Sequence, residues 1–244
     1  MDKRIIIFSP HCDDAVLSLG GAILNNYLRK NIFVHTIFSV SNYTIIEQCT
    51  GHTGKITKLR NEEERRVMRL MGIRYKLWHY PEPSLRKGYK ETKDIFNPKS
   101  NPEANPLFGE LYNAIENVCL QNEKAYLFFP LGLGNHIDHL IIKEIGIKLL
   151  AKYHLKIYFY EDQPYAGGED IKSIEETIGK HYPYLIRFTF KFDNILDKIH
   201  ILKNYKSQLD AEDSGWVFWH TQRRNGEAVW SDKSNISLLA EESK

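Results

Sequence analysis

The sequence predicts an α/β fold, a Rossmann-like three-layer sandwich with a mostly parallel central sheet, on three observations. Apolar runs of strand length alternate with segments of helical periodicity along most of the chain. The runs at residues 5–8 (Ile-Ile-Ile-Phe) and 125–129 (Ala-Tyr-Leu-Phe-Phe) are unbroken, as in strands buried beneath helices on both faces. Each run is followed by a turn dense in histidine and aspartate: Pro10-His11-Cys12-Asp13-Asp14 after the first, Asn135-His136-Ile137-Asp138-His139 after the second.

In chain order, the first run passes through its His-Asp turn into a helical pattern that extends to about Arg29, and residues 32–38 form a second strand. Residues 42–57 are polar, glycine-containing and aperiodic, hence a loop. Residues 59–72 form an amphipathic helix with Leu59, Val67, Leu70 and Met71 on its apolar face. Its charged face is solvated, with i,i+4 pairs such as Glu62–Arg66, and Gly72 stops it. Residues 75–80 give a third strand. Residues 81–105, punctuated by Pro81, Pro83, Pro98 and Pro102, are a loop long enough to be functional or mobile. A helix over 107–120, a fourth strand over 125–129, a helix over 140–150 and a fifth strand over 157–160 follow. Residues 185–192 form an edge strand, and residues 193–209 a helix with Ile195, Ile199, Leu202 and Leu209 on one side. Residues 215–244 are aromatic and charged and carry no readable period. In the common strand order 3-2-1-4-5, strands 1 and 4 are neighbours, and ligands bind at their carboxyl ends, where the order reverses. Both His-Asp turns then open into one crevice.

The 244 residues suit a single domain, 1–244, with a sizeable core. With 33 basic against 31 acidic residues, nothing in the charge balance points to nucleic acid or a membrane surface. Cys12, Cys49 and Cys119 are odd in number and form no CxxC, which implies a reducing compartment rather than a disulfide framework. The N-terminal apolar run is too short for a signal peptide, and no stretch reaches the roughly 18 apolar residues of a membrane span. A cytoplasmic protein acting on a small molecule is expected.

The chemistry available in the crevice is that of a metal site. A catalytic zinc takes about three protein ligands and keeps one position open. His11, Asp14 and His139 supply that count, with Zn²⁺ expected and another divalent ion such as Fe²⁺ allowed. Asp13 stands beside a ligand and is placed to take a proton from water and pass it to a leaving group. His136, three residues before His139, lies at the rim without ligating. Asp138 is expected to hold its ring and favour an imidazolium that stabilises an oxyanion. The set suits metal-assisted hydrolysis of an amide. The plainer alternative is that Asp13 and Asp14 merely cap the first helix. Cys12 is read as a packed small residue.

At these residues the chain resembles the PIG-L/LmbE-like family of zinc-dependent N-deacetylases, whose HPDD-type and HPDH-type turns correspond to His11-Cys12-Asp13-Asp14 and His136-Ile137-Asp138-His139. The resemblance implies metal binding by His11, Asp14 and His139, Asp13 as general base and acid, and His136 as the oxyanion-stabilising residue. Both prolines of the pattern are replaced, by Cys12 and Ile137, without loss of a functional group. Arg60-x-x-Glu63 before Met71-Gly72, and the segment from Pro81 to Arg86, are similar to further family features, so Arg60, Glu82 and Arg86 are expected at the substrate. Arg60 paired with Glu63 on the helix surface is the alternative. Gly134 stands where some members carry a gating tyrosine, so any gate must come from elsewhere. The implied activity is removal of an N-acetyl group from an amino sugar or sugar conjugate. Two other classes compete: a non-haem iron enzyme using the same two histidines and a carboxylate, and a binding module without chemistry, which no GxGxxG or Walker A pattern supports.

Overall fold

The computed structural model describes residues 4–25, 27–28, 31–49, 51–192 and 194–242. Its elements are β1 (Ile5–Ser9), α1 (Asp14–Leu24), β2 (Ile32–Thr36), α2 (Thr53–Leu70), β3 (Arg74–Leu77), α3 (Thr92–Ile95), α4 (Phe108–Leu120), β4 (Tyr126–Pro130), α5 (Ile137–Lys152), β5 (Lys156–Tyr160), α6 (Ile171–His181), β6 (Ile186–Phe190), α7 (Leu196–Leu202), α8 (Ala211–Arg224), β7 (Glu227–Ser231) and α9 (Lys233–Glu242).

The sheet runs β3-β2-β1-β4-β5-β7-β6. Its first five strands are parallel, in the expected order 3-2-1-4-5. Because side chains alternate along a strand, each apolar run feeds two cores. Ile6, Phe8, Leu127, Phe129 and Phe159 pack beneath α4, α5 and α6 through Leu111, Ile141, Ile145 and Ile174. Ile5, Ile7, Val34, Phe128 and Tyr158 pack beneath α1, α2, α7 and α8 through Val16, Val67, Leu202 and Val217. This two-sided burial is why the central strands carry no polar alternation.

The departures have local causes. The first helix ends at Leu24, where the Asn25 side chain donates to the Gly21 carbonyl at 2.9 Å; Arg29 lies outside the described residues. The second begins at Thr53, inside the expected loop, with Ile56 buried. The helix expected over 193–209 stops at Leu202, and Asp193 lies outside the described residues. Beyond it the Asn204 amide donates to the Ile201 carbonyl, and Tyr205 and Ser207 reach across to Glu64 and Glu63 of α2. The edge strand at 186–190 exists but does not join β5. The unread C-terminal stretch supplies β7, antiparallel to both β5 and β6. Its Gly226-Glu227-Ala228 start lacks strand character on its own. Glu227 is nevertheless fully buried, accepting from the backbone N–H groups of Gly21 (2.9 Å) and Ala22 (2.7 Å) and pairing with Lys198 Nζ at 2.6 Å. Non-local partners override local propensity here.

One buried group outside the crevice ties stability to pH. His35 on β2 accepts the Trp78 indole N–H at its Nδ1, 2.9 Å away. Burial, with Lys76 and Arg4 adding repulsion, lowers its pKa from 6.5 to about 4. Above the unfolded value the ring is neutral in both states. As pH falls below it the unfolded chain takes up a proton first, so stability drops until the folded pKa is reached. This group should cost about 2 kcal/mol between about pH 7 and about pH 5. Urea unfolding at the two pH values should show that loss in the wild type and not in His35→Gln; equal losses would clear His35 of the effect.

Candidate metal and active site

Strands β1 and β4 deliver the two His-Asp turns side by side. The first turn is held by Ser9, whose hydroxyl donates to the His11 carbonyl (2.7 Å) and accepts from the Ala15 N–H (3.1 Å). Asp13 adopts φ 114°, ψ −39°, a conformation costly for a residue with a side chain, while its carbonyl accepts from Val16 and Leu17 to start α1. Its carboxyl makes no capping bond and lines the cavity instead, which disposes of the helix-cap alternative for Asp13. In the second turn Gly134 at φ 77° and Asn135 at φ 59° bend the chain so that His136 becomes the N-cap of α5.

Three donor atoms converge. His11 Nδ1 lies 3.2 Å from Asp14 Oδ2, His139 Nε2 lies 3.3 Å from the same oxygen, and the two ring nitrogens are 3.3 Å apart. Ligands about 2.0–2.2 Å from a tetrahedral zinc stand about 3.3–3.5 Å from one another, so the triangle fits a single ion. The hydrogen bonds fix which nitrogens are free. His11 Nε2 faces Asp138 Oδ2 at 3.1 Å, and His139 Nδ1 faces Asp162 Oδ1 at 2.6 Å. Each carboxylate takes the ring N–H, so the opposite nitrogens turn lone pairs toward the Asp14 oxygen. Three lone-pair donors face to face repel unless a cation or protons lie among them. A second trio is also close: His11, His136 and His139 each bring a ring nitrogen within 4.8 Å of the others. We prefer the triangle with Asp14 because its spacing is tighter; Asp14 Oδ2 also accepts the His11 backbone N–H at 2.7 Å, which leaves it a lone pair for an ion.

The electrostatics agree. Burial disfavours charge on His11 and His139, yet Asp138 and Asp14 for the first, and Asp14 and Asp162 for the second, raise them to about 9 and about 10. Carboxylates thus demand positive charge at this point, which a divalent ion meets without protons on the facing nitrogens. Burial likewise opposes the Asp14 anion, but His139 and His11 hold its pKa well below the usual carboxylate range. Asp13 goes the other way: burial and then the Asp14 charge push it well above that range. His136 is driven well below its ordinary value by burial, with His11 and His139 adding repulsion.

Two expectations need correction. The carboxyl of Asp138 does not hold His136: its oxygens go to His11 and to Arg86 Nη2, the latter at 2.5 Å. At His136 burial and the two neighbouring imidazoles disfavour an imidazolium, and because Nδ1 accepts the Asp138 N–H, the neutral ring carries its proton on Nε2. Arg86 is directed at Asp138 and rests on Phe38 and Tyr89 rather than lining the cavity. Arg60 and Glu82 do line it. Arg60 does not pair with Glu63 on a surface: it is buried, bonded to Glu82 and to Ser41 Oγ (2.6 Å), with Nη2 4.0 Å from Asp13. Glu63 receives the hydroxyl and N–H of Ser207 instead. Cys12 is buried, its Sγ 3.5 Å from Asn61 Oδ1.

The cavity over these groups has a volume of about 790 Å³, within the range of small-molecule sites. Sequence reasoning gave no role to Asp162, Phe96 or Tyr165. Asp162 follows β5 and stands at a strand's carboxyl end, which was a usable signal. Phe96, from the long loop, forms an isolated antiparallel bridge with His136. Tyr165 fills the place of a side chain at Gly134: a Cβ there would sit 2.6 Å from the tyrosine Cγ.

A curated relative is the 2'-N-acetylparomamine deacetylase of Streptomyces fradiae, 27% identical over 223 residues, spanning 90% of this chain and 78% of the relative. Two solved structures share the fold. The A40926 pseudoaglycone deacetylase Dbv21 has a TM-score of 0.70 at 18% identity, covering 93% of this chain and 96% of its own. The zinc inhibited form of teicoplanin deacetylase Orf2 has a TM-score of 0.67 at 17% identity, covering 93% of this chain and 97% of its own. Residues 6–150, which hold both His-Asp turns, Arg60 and Glu82, match the family described as PIG-L: GlcNAc-PI de-N-acetylase, and the chain belongs to that family.

Proposed function

We propose that this protein is a metal-dependent hydrolase that removes an N-acetyl group from an amino sugar or sugar conjugate, with zinc as its resident ion. The observation that carries the reading is the convergence of His11 Nδ1, Asp14 Oδ2 and His139 Nε2 beside an uncapped Asp13 carboxyl. Those three atoms would hold the ion, which when bound supplies Lewis-acid polarisation and acidifies water near neutral pH. Membership of a de-N-acetylase family and a relative that acts on an N-acetylated aminoglycoside support the substrate class.

The chain's own residues divide the remaining work. Asp13, its proton affinity raised by burial and by Asp14, takes a proton from the attacking water and returns it to the amine nitrogen as the C–N bond breaks. The products are acetate and the free amine. His136 directs its Nε2–H at the acyl oxygen as charge develops there. Because it is already neutral, it donates a hydrogen bond and keeps its proton. Asp138 and Asp162 fix the tautomers of His11 and His139, and Arg86 holds Asp138 in place. Arg60 and Glu82 offer polar contacts for sugar hydroxyls.

The test is acetate release from 2'-N-acetylparomamine and N-acetylglucosamine conjugates by metal-stripped protein and by protein reloaded with zinc, iron(II), cobalt or manganese. The expected result is no release without metal and recovery at one ion per chain, with zinc sufficient. Since zinc names an inhibited form of a structural neighbour, the zinc titration extends beyond one equivalent. Release that ignores chelation would overturn the metal reading. Oxygen consumption with iron(II) and no acetate would instead favour the oxygenase class.

A further inference from the structure

Two aromatic rings line the cavity against His136 and His139 and have no part in the chemistry described so far. The Phe96 ring meets His136 edge-on, with centroids 5.0 Å apart at 80°. The Tyr165 ring meets His139 edge-on at 5.4 Å and 84°. The two rings also contact each other, 5.8 Å apart at 63°. Both line the cavity. Neither position is free to drift. Phe96 is held by its backbone bridge to His136. Tyr165 lies over Gly134, which has no side chain to displace it; a Cβ there would come within 2.6–2.9 Å of three tyrosine atoms.

The reaction geometry gives this wall a purpose, on the proposed deacetylase reading. An amide carbon bears an oxygen, a nitrogen and the acyl chain. The oxygen faces His136. The nitrogen must come within reach of Asp13, which returns its proton, and there Arg60, 4.0 Å from Asp13, and its partner Glu82 form a polar wall suited to a sugar. The acyl chain is left to point away from Asp13, toward the rings seated on His136 and His139. Those rings touch, so no slot runs between them for a chain to pass. We propose that Phe96 and Tyr165 are the acyl-length selector of this enzyme: they receive a methyl group and turn away longer acyl chains. The long loop of residues 81–105 then acts as one jaw of a specificity pocket, and the segment after β5 as the other.

The test uses the metal-loaded full chain and glucosamine N-acylated with acetyl, propanoyl, butanoyl or hexanoyl groups. A methylene fitted or refused by an apolar pocket is worth about 10–200-fold in kcat/KM. The wild type should lose at least about tenfold from acetyl to butanoyl. Phe96→Ala and Tyr165→Ala should each shrink that ratio by about tenfold or more, whereas Tyr165→Phe, which keeps the ring, should preserve it. Binding of acetate, propanoate, butanoate and hexanoate, measured by calorimetry, gives a readout free of turnover: the wild type should favour acetate, and the alanine variants should accept butanoate. Unchanged acyl and carboxylate preferences in both alanine variants would overturn the proposal. If the wild type hydrolyses none of these amides, the carboxylate series decides the pocket by itself, and the deacetylase reading stands or falls separately on acetate release from 2'-N-acetylparomamine and the conjugates. If one alanine variant fails to fold, the other and the wild-type series still decide.

Discussion

Replacement of His139 by alanine is expected to remove the metal ion and turnover together. Its Nε2 is one corner of the three-atom triangle, 3.3 Å from both Asp14 Oδ2 and His11 Nδ1. Two donors of the triangle remain after the change, fewer than the three of a catalytic zinc site. The ring is also held from behind by Asp162 at 2.6 Å. Asp162→Asn, which leaves His139 Nε2 in place and alters the partner of Nδ1 and of the Leu133 N–H, should weaken metal binding by about 10–100-fold. His139→Ala should exceed that. Elemental analysis after dialysis, with chelator competition for the affinities, measures both. Since His139→Ala strands a fully buried carboxylate, thermal unfolding of the metal-free forms must show that the fold survives. A folded His139→Ala protein that keeps one ion per chain would remove His139 from the ligand set.

Asp13→Asn should produce the largest loss of turnover that leaves the metal in place. The amide keeps the shape and the turn but cannot accept a proton, and general base catalysis contributes about 10²–10⁴-fold. The sign of the pH dependence follows from Asp13's surroundings. It must be ionised to take the water's proton, so activity rises with pH through its apparent pKa. Burial and the Asp14 charge push the Asp13 carboxyl upward in the metal-free protein, and a divalent ion held by Asp14 offsets the second of these. In Asp13→Asn the residual rate should lose that limb. His136→Ala should cost about 10²–10³-fold in kcat, and because a neutral imidazole donates the hydrogen bond, a falling limb at high pH cannot be assigned to it. Near-wild-type kcat in a metal-replete Asp13→Asn protein would move the base elsewhere in the crevice.

What the sequence revealed tracks how local its causes are. The five parallel strands were legible because two-sided burial writes itself as unbroken apolar runs, and the two His-Asp turns because strand ends at a topological switch are where side chains can meet. Arg60 and Glu82 reached the cavity through a resemblance rather than a pattern; a buried guanidinium on a charged helix reads like any solvated arginine until Glu82 and Ser41 are seen against it. The role of Asp138 was misread for a similar reason. Its neighbour in sequence is His139 and its near neighbour His136, but its carboxyl points at His11, on another strand's turn. β7 stayed hidden because Glu227 and Ser231 are buried only through partners far along the chain: Lys198 and α1 for the first, the Ile157 carbonyl for the second. Phe96 carried no signal, and Tyr165 only a resemblance of the segment from Tyr160 to Ala166 to one branch of the family, with no role attached, since an aromatic in a loop is unremarkable until its ring is found on a histidine.

The insertion of β7 between β5 and β6 also sets a timetable for synthesis. On the ribosome β6 is complete about 40 residues before the end of β7 is made, and at about 5–20 residues per second that is an interval of roughly 2–8 s. Through that interval β6 has no strand to pair with, because its one sheet neighbour is β7. The outer edge of β5 is equally open, a row of unpaired amides and carbonyls of the kind that recruits other nascent chains. Glu161, the first residue after β5, waits too, for His220, Arg224 and Trp230 all arrive with the last segment. Crowded expression, in which many such half-built edges coexist, is where this fold is most exposed to aggregation.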